Sequence, residues 1–141
     1  MYIDRMCQGL LEAGRKIIML FMTYVLPLQN LQMRTATFAV SVRNFIKEAP
    51  RTIANVEYSK QLIRSSGSVA ANYIEANECL GKNDFCMRIR IAKKEAKESR
   101  LWLWLINIEE KPVLENCRTE LMNEARELTK IFASIVARKS R

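Results

Sequence analysis

Carboxylates recur at helical spacing in two places, Glu75 with Glu78 and Glu95 with Glu98, an i, i+3 pattern that can contribute to a di-metal centre in a helical bundle. Such centres complete each pair with a histidine on the same face, and this sequence contains none. The same absence removes the most versatile general base near neutral pH. Ser65, Ser66 and Ser68 form the densest hydroxyl cluster; with no base beside them they read as small packing residues that bond back to helix carbonyls. Cys7, Cys79, Cys86 and Cys117 lie far apart with no C-x-x-C pair to found a zinc site, and are expected to be buried or half-buried thiols in a reducing cytoplasm. The four glycines are too scattered to cradle a phosphate, and no nucleophile elbow or dinucleotide fingerprint occurs. The expectation is a protein without catalytic activity, bound metal or cofactor.

Charge and aromatic surface offer more. Lysine and arginine outnumber the acids 23 to 15, and the net charge of +8 attracts phosphate backbones or other anions from a distance. Arg90, Lys93, Lys94, Lys97 and Arg100 recur on the face of one helix opposite its apolar stripe, which makes them the candidate phosphate contacts for RNA or DNA. An ordinary solvated face accounts for the same residues, and Glu98, four residues after Lys94, suits a surface ion pair. Both readings stay open at this point. Just beyond, the run from Leu101 to Ile106 is apolar on every side, more than one intramolecular face hides. Leu101, Trp102, Trp104 and Leu105 are therefore the candidate interface with another subunit, with tryptophan packing under the N-terminal tail as the alternative.

These side chains need helices to position them. One domain fits the length, and the apolar content with few glycines and prolines suits a folded, mostly helical chain. Phe38, Val42, Phe45 and Ile46 predict a first helix over residues 34–48, stopped by Pro50. Asn55 is placed to cap a second helix that runs through Glu78 and ends near Gly81. In it Leu62, Val69 and Tyr73 recur at helical spacing. The small residues Ser65, Ser66, Gly67, Ser68, Ala70 and Ala71 between them let a neighbouring helix come close. Asn83 is the expected cap of a third helix lined by Phe85, Ile89, Ala92, Ala96, Ser99, Leu103 and Ile106, which ends before Lys111 and Pro112. A fourth begins near Val113 and carries a seam of Leu114, Cys117, Leu121, Ala125, Leu128, Phe132 and Ile135.

Residues 1–30 differ in character. The apolar stretch 17–28 follows Arg15 and Lys16 as in a signal peptide, but Asp4 and Glu12 precede it and no small-residue cleavage pattern follows Pro27. It is too short to span a bilayer, so membrane attachment is the weakest expectation. Two others stand beside it: an extra helix docked on the bundle, or upstream sequence read from an early start, with Met33 as the more natural beginning.

Arg64, Ser68, Ala71, Asn72 and Glu75 match the pattern R-x-A-x-S-I-P-A-N-I-A-E-G, with departures at Ala70 and Ala76 in place of the frequent proline and glycine. Phe85, Ala92 and Glu95 also fall in step, and the ending ELTKIFASIVARKSR is similar to ELxKILxSxIKxxK. On these residues the chain, from about Leu31 onward, resembles the four-helix-bundle proteins associated with intervening sequences of bacterial 23S rRNA genes. The resemblance implies an all-α, up-and-down antiparallel four-helix bundle over residues 31–141 preceded by the apolar N-terminal segment. It also implies assembly as ring-like pentamers. A related branch serves as accessory protein to the reverse transcriptase of diversity-generating retroelements and binds nucleic acid through a basic surface. The expected function is thus a non-catalytic, self-associating module for RNA or for a nucleic-acid-processing protein, and the alternative is a protein-binding scaffold whose charge only aids solubility. Within the family block Arg64, Asn72 and Glu75 are expected to form a polar network between helices.

Overall fold

The computed structural model describes residues 30–140, which form four α-helices: α1, Leu31–Glu48; α2, Ile53–Glu78; α3, Lys82–Leu105; and α4, Pro112–Ser140. Connections over residues 49–52, 79–81 and 106–111 are too short for anything but antiparallel neighbours, and the result is an up-and-down four-helix bundle. Residues 35–140 belong to one compact unit. The expectations for residues 1–29 lie outside the described residues.

Local chemistry explains where each helix starts. Asn30 caps α1, its Oδ1 accepting from the Met33 N–H at 2.9 Å, so the helix starts three residues before the apolar stripe alone suggests. It stops at Glu48, since the residue before Pro50 is pushed out of helical geometry. The cap of α2 is Thr52, whose Oγ1 accepts from the Asn55 N–H at 3.1 Å, and Asn55 itself lies inside the first turn. Gly81 precedes α3 with no side-chain cap, so Asn83 is a first-turn residue and not the cap, while Asp84 sits in that positive turn as expected. Pro112 opens α4, where its missing N–H costs nothing. Ala70 and Ala76 are both inside an uninterrupted α2.

The stripes converge on one core. Phe38 and Val42 of α1, Leu62 and Val69 of α2, Ile89 and Leu103 of α3, and Leu128 and Phe132 of α4 are buried, each large side chain worth about 1.5–3 kcal/mol relative to exposure. Tyr73 brings its ring to 6.2 Å from that of Phe132, tying α2 to α4. Ile46, Phe85, Cys117 and Ile135, at the margins of their stripes, are only half-buried.

The backbone of α3 comes closest to its neighbours, α2 on one side and α4 on the other. Small side chains permit this approach: Ala92, Ala96 and Ser99 on α3 and Ser65 and Ser66 on α2 are all buried. The Ser65 and Ser99 hydroxyls lie 2.9 Å apart, and whichever accepts the hydrogen bond between them donates to its own helix, Ser65 to the Leu62 carbonyl or Ser99 to the Glu95 carbonyl. Gly67 and Ala71 face outward and take no part.

A polar clasp closes one end of the bundle. The Asn55 side chain is buried, donates from Nδ2 to the Pro50 carbonyl at 2.8 Å and the Asn107 carbonyl at 2.7 Å, and accepts the Asn107 N–H at 2.9 Å. One amide thereby holds both the α1–α2 and the α3–α4 connections. Arg118 of α4 adds a bond to the Ile106 carbonyl at 3.0 Å, satisfying an acceptor at the end of α3, and pairs with Glu115. The α3–α4 connection turns through Glu109 and Glu110, both left-handed with φ of 51° and 55°.

Cys86 is buried, Cys79 and Cys117 are half-buried, and none of the three is in a disulfide. Among the described residues no helix is long and apolar enough to cross a membrane.

Candidate nucleic-acid interface

Because α3 turns its small residues toward the core, the positions one step around the helix stand at its border with α4. Arg90, Lys97 and Arg100 are exposed there, and Lys93 is half-buried. None of these four cations has an ion pair among the described residues. Lys94 differs: it lies round the helix with Nζ 3.3 Å from Glu95 and 3.7 Å from Glu98. The hydrogen bond that its ammonium donates to Glu95, then the charges of Glu95 and Glu98, raise its pKa above the usual lysine value. The ordinary surface pair foreseen between Lys94 and Glu98 is present, and it separates Lys94 from the unpaired row.

The row borders a groove of about 680 Å³ between α3 and α4. Lys97, Arg100, Leu101 and Trp104 form one wall, and Met122 and Arg126 of α4 stand on the other. Thr129 closes the lining, its hydroxyl donating to the Ala125 carbonyl at 2.8 Å and keeping its acceptor capacity. Among the described residues no acid lines it, and Arg126, like Lys97 and Arg100, carries no ion pair.

The tryptophan run divides into two parts. Trp102 is half-buried and stacks on Tyr58 of α2 with centroids 6.1 Å apart, and Leu105 is half-buried as well. Leu101 and Trp104 remain 46% and 64% exposed, on the groove side. Of the four residues grouped as one interface, the structure brings only these two together on open surface.

The family block is likewise rearranged. Asn72 is buried on α2 and donates to the Ser68 carbonyl at 2.9 Å and the Ser68 hydroxyl at 3.0 Å. Arg88 of α3 reaches Asn72 Oδ1 at 3.5 Å and Glu75 at 2.6 Å, so Asn72 and Glu75 meet across α2 and α3 through an arginine the sequence did not single out. Arg64 is exposed and stands outside this group.

Arg88, Met122 and Arg126 are the residues sequence reasoning missed. The signal for the last two was present: they follow the core positions Leu121 and Ala125 by one residue, and so occupy the same flank of α4. What was not visible is that this flank faces the cationic flank of α3. Among the described residues no cluster of three potential ligands could hold a metal ion.

A family model described as 23S rRNA-intervening sequence protein matches residues 29–134. A solved crystal structure of a protein of unknown function from the S23 ribosomal protein family of Bacteroides thetaiotaomicron is similar to this chain at 30% identity and a TM-score of 0.63, over 76% of this chain and 98% of that one. No curated protein matches.

Proposed function

The chain belongs to the 23S rRNA-intervening sequence protein family, and from that membership we propose that it is a non-catalytic helical-bundle module that binds nucleic acid, RNA foremost, on the joint face of α3 and α4. The observation that carries this reading is the row of cations Arg90, Lys93, Lys97 and Arg100, which have no ion pair among the described residues, with Arg126 across the groove from Lys97 and Arg100 and no carboxylate among the described residues that line it. Cations already paired in the free protein gain little from a phosphate; among the described residues these have no such pair to give up. Affinity then comes mainly from phosphate contacts, which makes binding salt-sensitive and weakly dependent on sequence.

Self-association belongs to the same reading, as do presentation of RNA to a nucleic-acid-processing protein and action in the cytoplasm. A second reading, a protein-binding scaffold, is favoured by Ile63 and Ile74, which leave apolar surface on the outer face of α2, away from the groove.

The test is binding of the full chain to labelled RNA and DNA across a salt series, beside a variant with Lys93, Lys97, Arg100 and Arg126 all changed to glutamine. For every phosphate that a substitution leaves unneutralised, the slope of log K against log salt should shrink by about 0.7 on a single strand and about 0.9 on a duplex. Lys94→Gln should change the slope least. A folded wild-type protein that binds neither nucleic acid at low salt removes the proposal in favour of the scaffold.

A further inference from the structure

Phosphate binding alone gives no use for the apolar part of the groove. Trp104 exposes 64% of its surface beside Leu101 at 46%, with Met122 opposite, while Trp102, two residues away, is stacked on Tyr58. A large ring left in water between unpaired cations suits a ligand that brings a flat apolar face and negative charge together. A single nucleic-acid strand has that combination, a base with two open π-faces on a phosphate backbone; a duplex closes those faces within its own stack. A second copy docked groove to groove about a two-fold axis would set Lys97, Arg100 and Arg126 against the same three cations, which disfavours that two-fold occupant.

Resting on the nucleic-acid reading above, we propose that the α3–α4 groove is a seat for unpaired nucleotides, in which Trp104 stacks on a base and Lys97, Arg100 and Arg126 hold the flanking phosphates. The site therefore selects single-stranded over double-stranded nucleic acid without reading sequence. Leu101 and Met122 floor the seat and exclude water from the back of the stacked ring. Thr129 offers an acceptor to a base or ribose edge.

The experiment uses the full chain and three labelled probes of about 12 nucleotides, within the usual span of a single-strand site. They are an oligouridylate, an abasic ribose-phosphate strand of the same length, and a blunt RNA duplex. Wild type should bind the oligouridylate about tenfold or more tighter than the abasic strand, and the duplex no better than the abasic strand. Trp104→Ala should weaken the oligouridylate about 5- to 150-fold and leave the abasic strand unchanged, while Trp104→Phe should restore most of the loss. Lys97→Gln with Arg100→Gln should lower the salt slope by about 1.4 on both single strands. Circular dichroism and sedimentation report whether each variant is folded and of unchanged size.

Equal binding of base-bearing and abasic strands, or a Trp104→Ala variant that binds as wild type, overturns the stacking seat while leaving phosphate binding intact. A change in sedimentation alone on Trp104→Ala also overturns it and assigns the ring to contact between copies. No binding to any probe removes the stacking seat together with the nucleic-acid reading.

Discussion

Asn55→Ala is expected to be among the most damaging single polar substitutions in this bundle. The side chain is 2% exposed and makes three hydrogen bonds, two donated to the Pro50 and Asn107 carbonyls and one accepted from the Asn107 N–H. At about 0.5–1.5 kcal/mol net for each bond, their loss sums to roughly 1.5–4.5 kcal/mol. Leaving backbone groups unpaired raises that cost, and water reaching the exposed Asn107 lowers it, so about 3 kcal/mol is a reasonable centre. Against a typical stability of about 5–15 kcal/mol this is a large fraction. With a urea m-value of about 1–3 kcal/mol/M, the midpoint should fall by roughly 1–3 M with m unchanged. The assay is urea unfolding of the full chain at fixed protein concentration, so that any self-association contributes equally. Asn107→Ala is the control, because Asn107 meets Asn55 through its backbone and its own side chain only accepts the Glu109 N–H, at 2.9 Å. Asn55→Asp should be worse than alanine at neutral pH, since it turns an oxygen toward two carbonyls, and should recover partly in acid as the carboxyl gains a proton. An unfolding free energy for Asn55→Ala within about 0.5 kcal/mol of wild type, or equal losses for Asn55→Ala and Asn107→Ala, would refute the clasp.

Three further outcomes are expected. Asn72→Leu should lower thermal stability, because it strips the Ser68 hydroxyl and Arg88 of a shared partner in a position only 8% exposed; an unchanged melting temperature would show the network to be idle. Gly67→Ala should stabilise the chain by about 0.5–1 kcal/mol, since an added Cβ meets nothing within 4 Å and the helix loses its most flexible residue; loss of assembly on sizing would instead reveal a close neighbour there. Burial raises the Glu120 pKa above the ordinary 4.5, so its protonated form is favoured by folding. Its contribution is present in full below the ordinary value and is lost as pH rises through the raised one. Glu120→Gln should therefore flatten that part of the stability profile, and a profile parallel to wild type from acid to neutral pH would contradict the assignment.

Helix periodicity was strong enough in the sequence to place four elements and most of the core, because Phe38, Val42, Ile89, Leu103, Leu128 and Phe132 recur at the period that buries one face. Caps were less legible. Asn55 and Asn83 have the right side chains for capping, but Thr52 already occupied one cap, and burial drew Asn55 to a longer-range task. The cationic face was legible on α3 alone. Its completion by Arg126 was not, since one helix's flank says nothing about which flank of its neighbour it meets. Trp102 and Trp104 looked equivalent for a related reason: two residues apart on a helix they point in different directions, and only the position of Tyr58 decides which is covered.

The hydroxyl pair of Ser65 and Ser99 bears on how many arrangements the α2–α3 contact allows. Small residues line both helices there, and a smooth, small-residue seam lets two helices slide by a turn at little cost in packing. A slide of one turn moves Ser65 away from Ser99 and toward alanine or leucine neighbours, where its hydroxyl finds no cross-helix partner. Replacing both by alanine removes donor and acceptor together, so it should cost little in unfolding free energy. The cost should appear instead as conformational plurality: broadened or doubled amide resonances along both helices, the mark of a bundle that still folds but no longer holds one register.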